Sequence, residues 1–178
     1  MQRIRVKMIY SRPRKICIDF SSYNFTYLLL NLPITRVNQV WTVDIRYKPI
    51  KKEYLSLIAI MDLKSCSVLD WSLSNTTVTD WVKRTIRGVV DKYRAPEIIN
   101  TDQGVQFTSD AYIQYIMSLG LTQISMDGKG IAIGKVFIER FCLTLKYQKI
   151  YLVCQGSGHE AERACREFID NYNNRRDH

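Results

Sequence analysis

Between residues 40 and 93 the hydrophobic pattern changes period once, from alternation to a helical repeat, and this change constrains the fold more than any other feature of the sequence. Residues 40–47 (VWTVDIRY) alternate, with Trp41, Val43 and Ile45 on one side and Thr42, Asp44 and Arg46 on the other. Residues 54–62 (YLSLIAIMD) and 66–74 (CSVLDWSLS) read as two further strands, joined by short polar turns at Pro49–Glu53 and Leu63–Ser65. Three strands linked this tightly make an antiparallel meander. Val78, Trp81, Val82, Ile86, Val89, Val90 and Tyr93 then share one face of an amphipathic helix that Pro96 stops.

Downstream, residues 97–100 read as a short buried strand, Thr108 or Ser109 as the cap of a helix over 109–119 closed by Gly120, and 121–126 as a fifth strand. Asp127–Gly130 is a glycine-bearing turn. Helices follow over about 135–148 and 159–173, the first with Val136, Phe137, Phe141, Leu143 and Leu145 as apolar contacts. The order β-β-β-α-β-α-β-α-α predicts an α/β three-layer fold, a mixed five-stranded sheet flanked by helices, of which the ribonuclease-H-like fold is the nucleic-acid-processing example. Residues 1–39 lack sustained periodicity and mix basic with aromatic residues, so they read as a basic N-terminal arm ahead of a compact unit at 40–178.

The chain has 178 residues, 46% of them hydrophobic, and only four prolines, which suits one domain with a real core and excludes a disordered or fibrous protein. Apolar runs fall far short of the ~18 residues of a membrane span, and no secretory signal follows the basic residues at 3–15. Five cysteines without a Cys-x-x-Cys pair and two histidines without zinc spacing predict reduced thiols in a cytoplasmic protein. With 26 Lys+Arg against 17 Asp+Glu, the net charge of +9 favours a polyanionic partner, nucleic acid ahead of an anionic membrane surface.

Three carboxylates stand out against their surroundings. Asp44 lies mid-strand between apolar neighbours, where Asp is a poor strand former, although it reads equally as a solvent-facing residue of an edge strand. Asp102 follows the short strand in NTDQGVQFTS (100–109), where α/β sheets commonly carry chemistry, and an Asx turn before Gly104 is the plainer use for it. Glu139 interrupts an apolar helix stretch, VFIERF (136–141), and reads otherwise as a solvated residue paired with Lys135 or Lys146. Together they suggest a two-metal phosphoryl-transfer site, since carboxylates from a strand, a strand end and a facing helix can clamp two Mg²⁺ about 3.5–4 Å apart. Lys146, two turns after Glu139, shares its face and reads equally as a grip on a phosphate beside the metals and as part of an ordinary salt-bridged helix surface.

WTVDIRY (41–47), NTDQGVQFTS (100–109), ISMDG (124–128), FIER (137–140) and YNNRR (172–176) resemble the integrase-type catalytic core of bacterial insertion-sequence transposases, in the superfamily of retroviral integrases. The resemblance spans residues 27–177 and includes YLLLNLPITRVNQVW (27–41). It implies a DDE active site carried by Asp44, Asp102 and Glu139, which would also be the metal ligands. The 36 residues between Asp102 and Glu139 match the spacing of about 35 in this class. It further implies two Mg²⁺ or Mn²⁺ ions, cleavage at element ends and joining of 3′-hydroxyls to target DNA. Lys129, Lys135, Arg140 and Lys146 are the expected DNA contacts, and the expected assembly is a homo-oligomer on DNA, with full-length transposase or an upstream-frame product as further partners. Asp62, Asp70 and Asp127 are expected to be structural.

The sequence also departs from that family. GKGIAIGK (128–135) stands where the family reads Gly-(Lys/Arg)-Gly-Arg-Ala-(Leu/Ile)-Asp-Asn, so that Ile131 replaces a basic residue, Gly134 an Asp and Lys135 an Asn. Gly134 thereby removes a helix N-cap before the catalytic helix, a loss of up to ~1 kcal/mol. Cys142 and Leu143 stand where the family has Trp and Arg, and Asp177 stands for a proline. These departures predict a truncated and decayed transposase core whose triad is intact but whose element-specific DNA recognition is lost. The competing readings are a non-catalytic DNA-binding or dominant-negative transposase fragment, and a ribonuclease-H-type hydrolase.

Overall fold

In a computed structural model of the chain, residues 25–50, 53–76, 78–127, 133–150 and 158–175 are described. The elements are β1 (Val40–Ile50), β2 (Glu53–Asp62), β3 (Val68–Ser74), α1 (Thr79–Tyr93), β4 (Ile98–Thr101), α2 (Asp110–Ser118), β5 (Gln123–Met126), α3 (Ile133–Leu145), which runs into a π-helical turn at Lys146–Ile150, and α4 (Gly158–Arg175). The five strands form one mixed sheet in the order β3-β2-β1-β4-β5. The meander is antiparallel, Trp41 facing Asp62 across β1 and β2, while β4 joins β1 in parallel with Val40 beside Ile98, and β5 joins β4 in parallel. The first hairpin is tighter than the sequence suggests, because both strands continue to the pair Ile50 and Glu53.

Because β1 is the central strand, both of its faces are covered. Trp41, Val43 and Ile45 pack with Ile58 and Ile60 beneath Trp81, Val82, Ile86 and Val89 of α1 and Tyr112, Ile113 and Ile116 of α2. On the other face Leu57, Ala59 and Met61 of β2 and Val68 meet Ile138, Phe141, Cys142 and Leu145 of α3 and Cys165, Phe168 and Ile169 of α4. This is the expected helix–sheet–helix sandwich. Residues 25–39 lie against the sheet, where Leu29 packs with Val40, Leu63 and Ile98, and the Leu28 amide donates to Ser125 Oγ at 3.1 Å.

Helix phase is where sequence and structure diverge. In α1 the expected contacts Val78 and Tyr93 are exposed at the two ends. In α3 three of the five expected contacts, Val136, Phe137 and Leu143, face outward, and the buried stripe is Ile138, Phe141, Cys142 and Leu145. Those four residues fall at i, i+3, i+4 and i+7, the spacing that one helix face requires. Gly134 lies inside the first turn of α3 rather than at its cap. Ser109 caps α2 as expected, accepting from the Tyr112 amide at 3.4 Å, and Gly120 ends that helix with φ +90°.

Candidate active site

Asp44 is on β1 and its side chain is 1% exposed, on the same sheet face as Thr42 and under α3. The solvent-facing alternative for Asp44 fails because β1 is central rather than an edge. Asp102 follows the carboxyl end of β4, the strand parallel to β1, and its side chain is 38% exposed. It does form the Asx turn: the Gly104 amide donates to Asp102 Oδ1 at 2.9 Å. A side chain at Gly104 would displace that carboxylate, since its Cβ would stand 2.8 Å from Asp102 Oδ1. The turn holds Asp102 Oδ1 and leaves Oδ2 directed elsewhere. Phe107, fully buried edge-to-face on Tyr112 at 5.4 Å between ring centroids, anchors the other end of the loop.

Glu139 comes from α3, whose buried stripe seats it over the Asp44 face. Its partner is neither Lys135 nor Lys146 but Arg46, whose Nη2 donates to Glu139 Oε1 at 2.8 Å while its Nε donates to Asp44 Oδ2. Lys135, one turn before Glu139, reaches the other two carboxylates, with Nζ 3.2 Å from Asp102 Oδ2 and 3.8 Å from Asp44 Oδ1. Arg46 thus links Asp44 to Glu139, and Lys135 links Asp44 to Asp102. Strand alternation alone put Arg46 on the Asp44 face, which is the signal by which it was recognisable.

Asp127 lies at the end of β5 and belongs to the same neighbourhood. Asn100 Nδ2 donates to Asp127 Oδ1 at 3.1 Å, and Asn100 Oδ1 accepts from Ser125 Oγ at 2.8 Å. Burial pushes the Asp127 carboxyl up, and the charges of Lys135, Asp102 and Glu139 all reach it. Asp62 has the expected structural role, accepting from the Asn38, Lys64 and Ser65 amides. Asp70 accepts from the Trp71 amide. Of the expected DNA contacts, Arg140 is exposed on α3, Lys146 opens the π-helical turn with its ammonium 5.9 Å from the centre of the Tyr147 ring, and Lys129 lies outside the described residues.

Burial sets the electrostatics. The Asp44 carboxyl is pushed up from 3.8 to about 6 by desolvation, against the pull of Arg46 and Lys135. A carboxyl raised in the folded state favours folding below its unfolded value and loses that contribution as pH rises through about 6. Ionised Asp44 therefore costs the metal-free protein about 2–3 kcal/mol at pH 7. Asp44→Asn is expected to raise the melting temperature in chelator-treated buffer at pH 7 by several degrees, with the gain shrinking toward pH 4. A lower melting temperature for the variant at pH 7 would show that the ion pairs outweigh burial.

Three carboxylates are hard oxygen donors of the kind Mg²⁺ or Mn²⁺ takes, so the chemistry of the set fits a divalent cation. Its present geometry is that of an ion-pair network: among the described residues no three carboxylate, thiol or imidazole groups surround a common metal position. Both Asp44 oxygens face side-chain cations. No helix among the described residues is long and apolar enough to cross a membrane.

Comparison with known proteins gives this arrangement its family. The profile of the integrase core domain matches residues 34–128, which include Asp44 and Asp102. The chain belongs to the integrase core domain family. The integrase core is 30% identical over 144 residues to InsK, assigned as a transposase of insertion element IS150 of Escherichia coli, covering 80% of this chain and 50% of that protein. It is 31% identical over 142 residues to the transposase of insertion element IS904 of Lactococcus lactis, covering 79% of this chain and 56% of the relative. The chain thus spans about half the length of these relatives.

In fold, the integrase core superimposes on the catalytic core of HTLV-2 integrase, solved in complex with magnesium, with a TM-score of 0.64 at 18% identity over 79% of this chain and 89% of that one. It also superimposes on a chain of the simian T-cell lymphotropic virus intasome, with a TM-score of 0.67 at 18% identity over 86% of this chain and 52% of that chain. These likenesses establish the ribonuclease-H-like architecture.

Proposed function

We propose that this integrase core serves DNA transposition by metal-dependent polynucleotidyl transfer, with Asp44, Asp102 and Glu139 as its catalytic carboxylates. The observation that carries the reading is the meeting, on one sheet face of an integrase core, of a carboxylate from the central strand, one from the parallel strand beside it and one from the covering helix, all joined through Arg46 and Lys135. Asp44 and Asp102 would hold one Mg²⁺ or Mn²⁺, and Asp44 and Glu139 a second. When bound, the ions would supply positive charge for the phosphate undergoing transfer and activation of the attacking hydroxyl.

The chain's own residues fix the geometry for that chemistry. The Gly104 turn orients Asp102, and α3 carries Glu139 onto the sheet. Arg140, Lys146 and Lys129 supply cationic contacts for the DNA backbone, in keeping with the net charge of +9. In this reading residues 40–178 are the core, residues 1–39 a basic arm, and the working form an oligomer on element-end and target DNA in the cytoplasm. The transposase relatives and the magnesium-bound viral core support it.

A second reading, a DNA-binding fragment that acts by occupancy, is favoured by the side-chain cations on both Asp44 oxygens. A strand-nicking and strand-joining assay on labelled duplex DNA with Mn²⁺ separates the two. Activity abolished by Asp102→Asn supports the enzyme; binding without activity in either protein supports the fragment. In both, DNA affinity is expected to fall steeply between about 50 and 200 mM salt with little sequence preference. A salt-independent complex specific for one sequence would contradict a backbone-driven mode.

A further inference from the structure

The ammonium of Lys135 is poorly accounted for as a surface charge. Its side chain is 13% exposed, and it lies within 4 Å of two carboxylates, one on β1 and one just past the end of β4. A lysine gives up much of its hydration and rotamer freedom to be held there, which only a concentration of negative charge offsets. Asp44, 1% exposed, supplies most of that demand, since an isolated ionised carboxylate at such depth is strongly disfavoured. Asp44 Oδ2 is already bound by Arg46, so Lys135 covers the remaining oxygen, Oδ1, and reaches Asp102 Oδ2, the oxygen that the Gly104 turn does not use.

The same two oxygens, Asp44 Oδ1 and Asp102 Oδ2, are the pair a divalent cation would take if these residues hold metal. We propose that Lys135 is a tethered cation that occupies the metal position between Asp44 and Asp102 and competes with Mg²⁺ or Mn²⁺ for it. The inference rests on the reading of Asp44 and Asp102 as metal ligands. Exchange would make and break no covalent bond: the Lys135 ammonium would withdraw fully protonated, and Asp44 and Asp102 would be left to hold the divalent ion. The exchange keeps Asp44 neutralised throughout, at the expense of weaker metal binding than the bare carboxylates would show. Lys135 is therefore an affinity-setting residue and touches none of the reacting atoms.

The test is a Mn²⁺ titration of the full chain, with free ion followed by electron paramagnetic resonance, for wild type, Lys135→Asn, Lys135→Gln, Lys135→Arg, Asp102→Asn and the double variant Lys135→Asn with Asp102→Asn. Removing a positive charge within contact distance of the ligands is expected to tighten Mn²⁺ binding about ten-fold or more in the Asn and Gln variants. Lys135→Arg should bind like wild type, and the double variant should lose the gain. Two neutral variants guard against one that fails to fold, and thermal melts identify any that does. If the neutral variants bind no tighter than wild type while Asp102→Asn still weakens binding, the competition is overturned and the ligand assignment stands. If Asp102→Asn changes binding in no background, the ligand assignment falls and the competition with it.

Discussion

Glu139→Gln is expected to reduce Mn²⁺-dependent strand nicking and joining by about 10²-fold or more, with DNA affinity and melting temperature nearly unchanged. Glutamine keeps the shape of the side chain, and its amide oxygen still accepts the Arg46 hydrogen bond that Glu139 Oε1 accepts at 2.8 Å. What it removes is one negative charge from the group of three. Because the Glu139 side chain is 41% exposed and Arg46 44%, their ion pair contributes at most about 1 kcal/mol to folding. A loss of turnover therefore reports on chemistry rather than on stability. Activity within about threefold of wild type would remove Glu139 from the site and leave Asp44 and Asp102 as a two-carboxylate centre.

Phe141→Ala is expected to cost about 3–5 kcal/mol and to lower the melting temperature by about 10 °C. Phe141 is 1% exposed and forms the joint between α3 and α4, with its ring 5.0 Å from that of Tyr172 and 6.0 Å from that of Phe168. Truncation there opens a cavity between two helices and the sheet, and it loosens the helix that positions Glu139 two residues earlier. Activity should therefore fall together with stability. Phe137→Ala, on the outward face of the same helix at 46% exposure, should cost under about 1 kcal/mol. Urea denaturation of the two variants checks the contrast, and equal costs would contradict the phase of α3.

Much of the architecture was legible because it rests on local patterns. The alternation in VWTVDIRY and the helical repeat from Trp81 to Val89 each reflect a face that must be buried, and the period of that face is a property of the backbone. The Asx turn of Asp102 and the Ser109 cap were equally readable, since each is a hydrogen bond closed within a few residues. The phase of α3 was not. Apolar residues point both inward and outward along that helix, and only docking on the sheet over β1 and against α4 selects Ile138, Phe141, Cys142 and Leu145 over Val136, Phe137 and Leu143.

The candidate site divides in the same way. The three carboxylates stood out by residue type and spacing, and alternation placed Arg46 on the same strand face as Asp44. That β1 is the central strand, which buries Asp44 and sets its carboxyl at about 6, depends on β4 pairing with β1 at a separation of 58 residues, Val40 beside Ile98. That Lys135 turns inward to Asp44 and Asp102 while Arg46 takes Glu139 depends on where α3 lands. The sequence by itself determined the elements, their order and the carboxylates they carry, because periodicity and turn chemistry act over a few residues. Which charges meet was decided by tertiary structure alone, because burial and ion pairing depend on distances that only the packed layers define.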